Sequence, residues 1–149
     1  MKTTLLIALS LFACKSKHID AVACDATAVN ALAANLDKAN GIGVDLQDPK
    51  NKADIANATK DLTGKKFAFT GCKFSMQGND EVSFTASNGD KSIGCHMKDG
   101  EEGVTKFRHA AMAIGQAKLR LDVSGTIESD KDAHFPRLAM TGCEIEAHE

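Results

Sequence analysis

Three features of the chain predict a mainly β (α+β) fold built on a small, strongly curved, closed barrel. The first is a shift of parity in Lys65-Lys66-Phe67-Ala68-Phe69-Thr70-Gly71-Cys72-Lys73-Phe74. Phe67 and Phe69 alternate onto one face of a strand, but Cys72 and Phe74 fall on the opposite parity. One extra residue at Gly71 returns all four to a single buried face, the usual effect of a bulge at a strand glycine. The second feature is the same device in Leu138-Ala139-Met140-Thr141-Gly142-Cys143-Glu144-Ile145, where a bulge at Gly142 aligns Leu138, Met140, Cys143 and Ile145. The third is a run of alternating segments separated by turn residues between the two. Sheets kinked this strongly gain by closing on themselves, because closure removes edges that would otherwise be open to pairing.

The 149 residues are enough for one core. Charge is nearly balanced, 18 Lys plus Arg against 20 Asp plus Glu. From Leu62 onward there are 11 basic and 13 acidic residues, so the barrel is not a basic body that gathers phosphate backbone. Trp and Tyr are absent, and most of the seven Phe fall at positions that read as internal or within the leader. Rings to stack on bases or sugars are therefore missing. No nucleic-acid partner is expected.

The chain opens with Met1-Lys2 and the apolar run Leu5 to Ala13, too short to span a bilayer as a permanent helix. It reads as a secretory leader. Leu11-Phe12-Ala13-Cys14 resembles the lipobox of bacterial lipoproteins, in which the leader is removed before the cysteine and that cysteine is lipidated. A plain leader cut after Ala21-Val22-Ala23 is the alternative, approached unusually by the charged Lys15, Lys17, His18 and Asp20. Five cysteines are an odd number for an exported chain, and assigning Cys14 to lipid leaves Cys24, Cys72, Cys95 and Cys143 to pair, as does plain cleavage after Ala23. Each buried acyl carbon contributes about 0.8 kcal/mol to anchoring. Lys15 after the cysteine, rather than Asp, implies by the same resemblance the outer membrane, facing the periplasm. The expected divisions are a signal peptide over 1–13, a tether over 14–24, a helical segment over 25–61 and the barrel over 62–149.

Asp25 is a helix cap before Val29, Leu32, Ala33 and Leu36, spaced i, i+3, i+4, i+7, and Asn40-Gly41 is the stop. Asp48-Pro49 starts a second helix with Ala53, Ile55, Ala56 and Leu62 as its apolar residues. Both helices are expected to pack against or plug the barrel. After the first strand, Gln77-Gly78-Asn79-Asp80 is a turn, Glu81 to Ala86 alternates, and Asn88-Gly89-Asp90 is a hairpin turn. Ile93, Cys95 and Met97 then point inward from a third strand. Asp99 to Gly103 breaks the sheet, and Thr105 is expected to cap a helix carrying Phe107, Ala110, Ala111 and Ile114. Leu119 to Ile127 alternates as a fourth strand before the closing one.

Three meandering strands, a helix and two more strands is the element order of the five-stranded OB barrel. Together with the leader, Leu62-Thr63-Gly64-Lys65-Lys66 running into a strand, the cysteine on strand three and the closing Leu138 to Ile145, this order resembles the tRNA-anticodon-like OB-fold lipoproteins of bacteria. The resemblance covers Leu62 to Ile145. It departs in Cys72 on strand one and in the lack of an aromatic in Leu62-Thr63-Gly64-Lys65. It implies an OB-like closed barrel with an N-terminal helical segment and one helix between strands three and four. It carries over no functional residue. In that topology strands three and five are neighbours, which implies a Cys95 to Cys143 bridge and leaves Cys24 to Cys72 to staple the helical segment to the barrel, one of three possible pairings.

OB barrels bind ligands on the outer face of strands two and three, here Glu81, Ser83 and Thr85 beside Ser92, Gly94 and His96. Metal leads at Glu128-Ser129-Asp130-Lys131-Asp132 and Asp99-Gly100-Glu101-Glu102 lack calcium-loop spacing. His96, His109, His134 and His148 lack the paired spacing of a zinc site, and there is no C-x-x-C. Hydrolase and phosphate-loop motifs are missing, and Cys72, Cys95 and Cys143 occupy core positions unsuited to a reactive thiol. The chain is therefore expected to be no enzyme, with no catalytic residue, metal or cofactor. The expected role is a non-catalytic envelope lipoprotein, membrane-attached by its N-terminal lipid. It would bind a protein or small molecule at the rim formed by the loops between strands one and two and between strands four and five. The alternatives are an inhibitor of a cell-wall hydrolase, presenting Ser75 to Asp80 or Ser129 to Pro136, and a structural lipoprotein without soluble ligand.

Overall fold

The computed structural model describes residues 19–130 and 137–149. Cys14 and most of the 129–136 loop lie outside the described residues. The elements are β1 (Val22–Ala23), α1 (Ala26–Ala39), α2 (Pro49–Leu62), β2 (Lys66–Gln77), β3 (Glu81–Thr85), β4 (Ser92–Met97), α3 (Gly100–Ile114), β5 (Arg120–Ser129) and β6 (Leu138–His148). Strand order is β1-β2-β3-β4-β6-β5, and β5 pairs back onto β2. Strands β2 to β6 thus close an OB-like five-stranded barrel. The parallel pair β4–β6 is its one parallel seam. β1 is an addition that sequence reading placed in the tether; it runs parallel to β2 at Phe69 and Thr70.

Both glycine bulges are present. Phe69 faces Val123 and Cys72 faces Leu121, so three steps along β2 match two along β5. Gly71 sits there with φ +76°. On β6, Glu144 faces Ser124 and Thr141 faces Thr126, and against β4 Cys143 faces Met97 while Met140 faces Cys95. The extra residue is therefore counted from both neighbouring strands, with Gly142 at φ +59°. Only glycine takes such a backbone without strain. The result is one core in which Phe69, Cys72, Phe84, Leu121, Met140 and Cys143 are all buried.

α1 follows its caps closely: Asp25 Oδ1 accepts from the Ala28 amide at 2.8 Å, and Val29, Leu32 and Ala33 are buried. At its far end the Asn40 side chain acts as a piece of strand. Its amide donates to the Leu138 carbonyl at 3.0 Å, and its oxygen accepts from the Leu138 amide at 2.7 Å. This holds α1 to the start of β6, while α3 lies along the later part, Cys143 to Ala147. The two helices cover opposite ends of the barrel.

Three expectations need correction. α2 leans on α1 rather than on the strands, and its Ala53 and Ala56 are exposed; of its residues only Leu62 is fully buried. α3 begins at Gly100, five residues before the expected cap, and Thr105 lies inside it, donating to the Glu101 carbonyl at 2.9 Å. Gly103 is no breaker there. It lets the helix approach β4 so closely that a Cβ would lie 3.1 Å from that of Met97. Finally, Ser75 to Gln77 belong to β2, so the expected protruding loop Ser75 to Asp80 reduces to the tight turn Gly78–Asp80.

Candidate functional site

Alternation along β3 and β4 turns Glu81, Ser83, Thr85, Ser92, Gly94 and His96 away from the barrel interior. Register sets Glu81 opposite His96, Ser83 opposite Gly94 and Thr85 opposite Ser92. Gly94 leaves a bare patch of backbone, and the Glu81 side chain lies across it; a Cβ at Gly94 would collide with Glu81 Oε1. Ser83 donates to that same oxygen at 3.1 Å and is buried, contrary to the outward exposure alternation implies.

His96 is the centre of the face. Its Nδ1 lies 3.3 Å from Asp80 Oδ2, in the turn after β2. Its Nε2 lies 3.6 Å from both Glu81 Oε2 and Asp130 Oδ2. The Asp130 side chain is only 5% exposed and accepts from Arg137 Nε at 2.9 Å. The Asp130 amide donates to the Arg137 carbonyl at 2.8 Å, which closes the base of the β5–β6 loop. The Asp80 carbonyl accepts from the Met97 amide at 2.8 Å, which ties the β2–β3 turn to β4. One imidazole thus touches both loops named as the expected rim.

The electrostatics are those of an acceptor-rich surface, with three carboxylates around one imidazole and one guanidinium. Beside it lies a hollow of about 160 Å³ between α1 and β4, bordered by Leu36, Asp37, Asn40, Gly94, His96 and Arg137. α1 therefore covers one margin of the face and leaves the His96 side open. Among the described residues no group of three or more His, Cys, Asp or Glu side chains could hold a metal ion. Of the two acidic stretches weighed as cation loops, Asp99 to Glu102 forms the start of α3, with Glu102 paired to Lys106 at 2.8 Å. Lys131 and Asp132 of the other lie outside the described residues.

A second carboxylate cluster was not foreseen. Asp122 Oδ1 accepts from Thr70 Oγ1 at 2.7 Å, from the Gly71 amide at 3.0 Å and from His148 Nε2 at 3.0 Å. Burial opposes ionisation of Asp122, but the hydrogen bonds from Thr70, His148 and Gly71 outweigh it and hold the carboxyl below its ordinary value. The hydrogen bond to Asp122, helped by the Glu149 carbonyl, raises the imidazole of His148.

The sulfurs of Cys24 and Cys72 are bonded, as are those of Cys95 and Cys143. Sequence reading missed Asp80 and Asp130 as partners of His96, and Arg137 as the partner of Asp130. Their only signal is that the two loops flanking strands one to two and four to five each carry an acidic residue at a strand end.

The fold and this face define an OB-like barrel with an open, acceptor-rich surface. No family model matches the chain, and no curated protein is similar to it. Among solved structures it is similar to a Klebsiella pneumoniae protein provisionally described as a nucleic acid-binding lipoprotein. The identity is 15%, over 61% of this chain and 77% of that one, with a TM-score of 0.35. The expected exclusion of nucleic acid as a partner is contradicted by this finding and is withdrawn. A likeness of this size carries no argument for what the chain binds. No helix among the described residues is long and apolar enough to cross a membrane.

Proposed function

We propose that this chain is a non-catalytic, lipid-anchored binding module of the cell envelope, acylated at Cys14 and facing the periplasm from the outer membrane. Its partner, a protein or small molecule, docks on the rim formed by the Gly78–Asp80 turn and the 130–137 loop. The observation that carries the reading is the His96 ring, set between Asp80 of one loop and Asp130 of the other. Asp80 and Asp130, held against one ring before binding, lose less conformational freedom on binding than free side chains would. Carboxylates and backbone carbonyls at that rim suit a partner that presents cationic or hydrogen-bond-donating groups.

Two measurements test it. Radiolabelled palmitate fed to cells should enter the wild-type chain and not Cys14→Ser. Anchored protein should capture a stoichiometric partner from envelope extracts, and His96→Ala and Arg137→Ala should lose that partner while keeping their fold. Capture of a polynucleotide in its place, or capture indifferent to both substitutions, would overturn the rim reading.

A further inference from the structure

A second surface, away from the His96 face, lies where α3 meets the end of β2. It is a groove of about 550 Å³ with Phe74, Phe107, Ala111, Met112 and Leu119 in its wall. Phe74 and Phe107 pack with ring centroids 5.7 Å apart and form its floor with the barrel core beneath. Met112 stands at its margin with 76% of its surface exposed. Methionine is flexible and polarizable, and adapts to varied apolar shapes.

One charge borders this apolar wall. Arg108 lies against the Gln77 side-chain amide, whose oxygen, once the amide is turned to face the guanidinium, accepts from Nε at 2.9 Å and from a terminal nitrogen at 3.1 Å. Of the other basic side chains, Lys98, Lys106 and Lys118 pair with Glu144, Glu102 and Glu149, while Lys73 and Arg120 donate to the backbone carbonyls of Ser87 and Leu119. Among the described residues Arg108 has only this neutral amide. A guanidinium is a planar fork suited to a carboxylate, and beside an apolar wall the pairing gains strength from reduced access of water.

From these observations we infer that the groove is a binding site for a single-chain anionic amphiphile, a long-chain carboxylate. Its head pairs with Arg108 and its chain lies over Phe74, Phe107 and Leu119, with Met112 closing on it. Apart from Gln77, Arg108 and Gln116, the lining side chains are apolar. An acyl chain has no polar group beyond its head and suits such a wall. The site is independent of the His96 rim and stands or falls separately from it.

The test uses the full-length chain carrying Cys14→Ser, so that no covalent lipid competes. Equilibrium dialysis against labelled palmitate and against hexadecanol should show saturable 1:1 uptake of palmitate. Arg108→Gln should weaken palmitate at least tenfold and leave hexadecanol unchanged, and Met112→Asp should weaken both. Arg108 and Met112 are exposed, so circular dichroism should be unaltered in both variants. No saturable palmitate uptake, equal binding by wild type and Arg108→Gln, or adsorption only to phosphatidylglycerol vesicles overturns the proposal. So does displacement of bound palmitate by an acidic amphipathic helical peptide that binds more tightly and equally depends on Arg108.

Discussion

The two Thr-Gly-Cys kinks have the same sequence and different supports. At Gly142, β6 has β4 on one side and β5 on the other, so the bulge is bracketed by backbone pairing. Thr141 needs no strong partner there, and its hydroxyl makes only long contacts of 3.4 Å to the Thr126 carbonyl and Glu128. At Gly71, β2 changes partners: β5 accompanies Lys66 to Cys72, β3 takes over from Lys73, and β1 covers only two residues of the gap. The Gly71 amide therefore relies on the Asp122 carboxylate as its acceptor, and Thr70 joins it there. A bulge inside a closed ladder is held by strands, whereas a bulge where a strand changes partners needs a side chain to complete its hydrogen bonds.

The largest way to break the comparison is through sulfur. Each disulfide sits beside one kink and each spans 48 residues, so loop closure predicts equal losses of about 4 kcal/mol for Cys24→Ser/Cys72→Ser and Cys95→Ser/Cys143→Ser. Guanidinium unfolding curves measure both. Losses differing by more than about half would mean that strand support, not loop entropy, sets the stability of one kink.

Next in size is the side-chain support itself. Asp122→Ala should cost about 1–3 kcal/mol by leaving the Gly71 amide without its acceptor. Thr141→Ala should cost under about 0.5 kcal/mol, the usual range for a surface change away from any key contact. Equal effects from the two substitutions, read from the same unfolding curves, would erase the distinction drawn between the kinks.

Backbone strain should then be the same at both kinks. No neighbouring atom lies within 4 Å of a Cβ built at Gly71 or at Gly142, so Gly71→Ala and Gly142→Ala test conformation without crowding. Each should lose about 1–2 kcal/mol by thermal melting.

The smallest effect is that of pH on the Gly71 side alone. The His148 imidazole is raised, so its contribution is full below its unfolded value of about 6.5 and is lost as pH rises through the folded value. The Asp122 carboxyl is lowered, so its contribution is full above about 4 and is lost as pH falls through the folded value. Both groups are about two-fifths exposed, which limits the pair to roughly 0.5 kcal/mol after screening. Melting temperature should therefore fall slightly from pH 5 to pH 8, and His148→Gln should flatten that slope. An unchanged slope in the variant would assign it elsewhere.

Much of the barrel was legible because its signals are local. Parity shifts at Gly71 and Gly142, the caps Asp25 and Asp48-Pro49, and the turn at Asn88-Gly89 each act within a few residues. The start of α3 was misread for the opposite reason. Gly100 and Gly103 read as breakers, but the use of Gly103 is contact with Met97 across an element boundary. β1 escaped notice because two residues form a strand only where β2 leaves an edge to pair with. Nor does spacing reveal the rim, since Asp80 comes from the β2–β3 turn, His96 from β4, and Asp130 and Arg137 from the two ends of the β5–β6 connection, and they meet only when the barrel closes.

From the chain alone came the kinked strands, the element order and the OB-like closed barrel, since side-chain alternation and glycine's tolerance of positive φ are properties of short segments. Which carboxylate supports which kink, which loops share His96, and which basic residue is left beside an apolar groove were decided by tertiary structure. Those depend on distances between residues far apart in sequence, and closure of the sheet sets such distances.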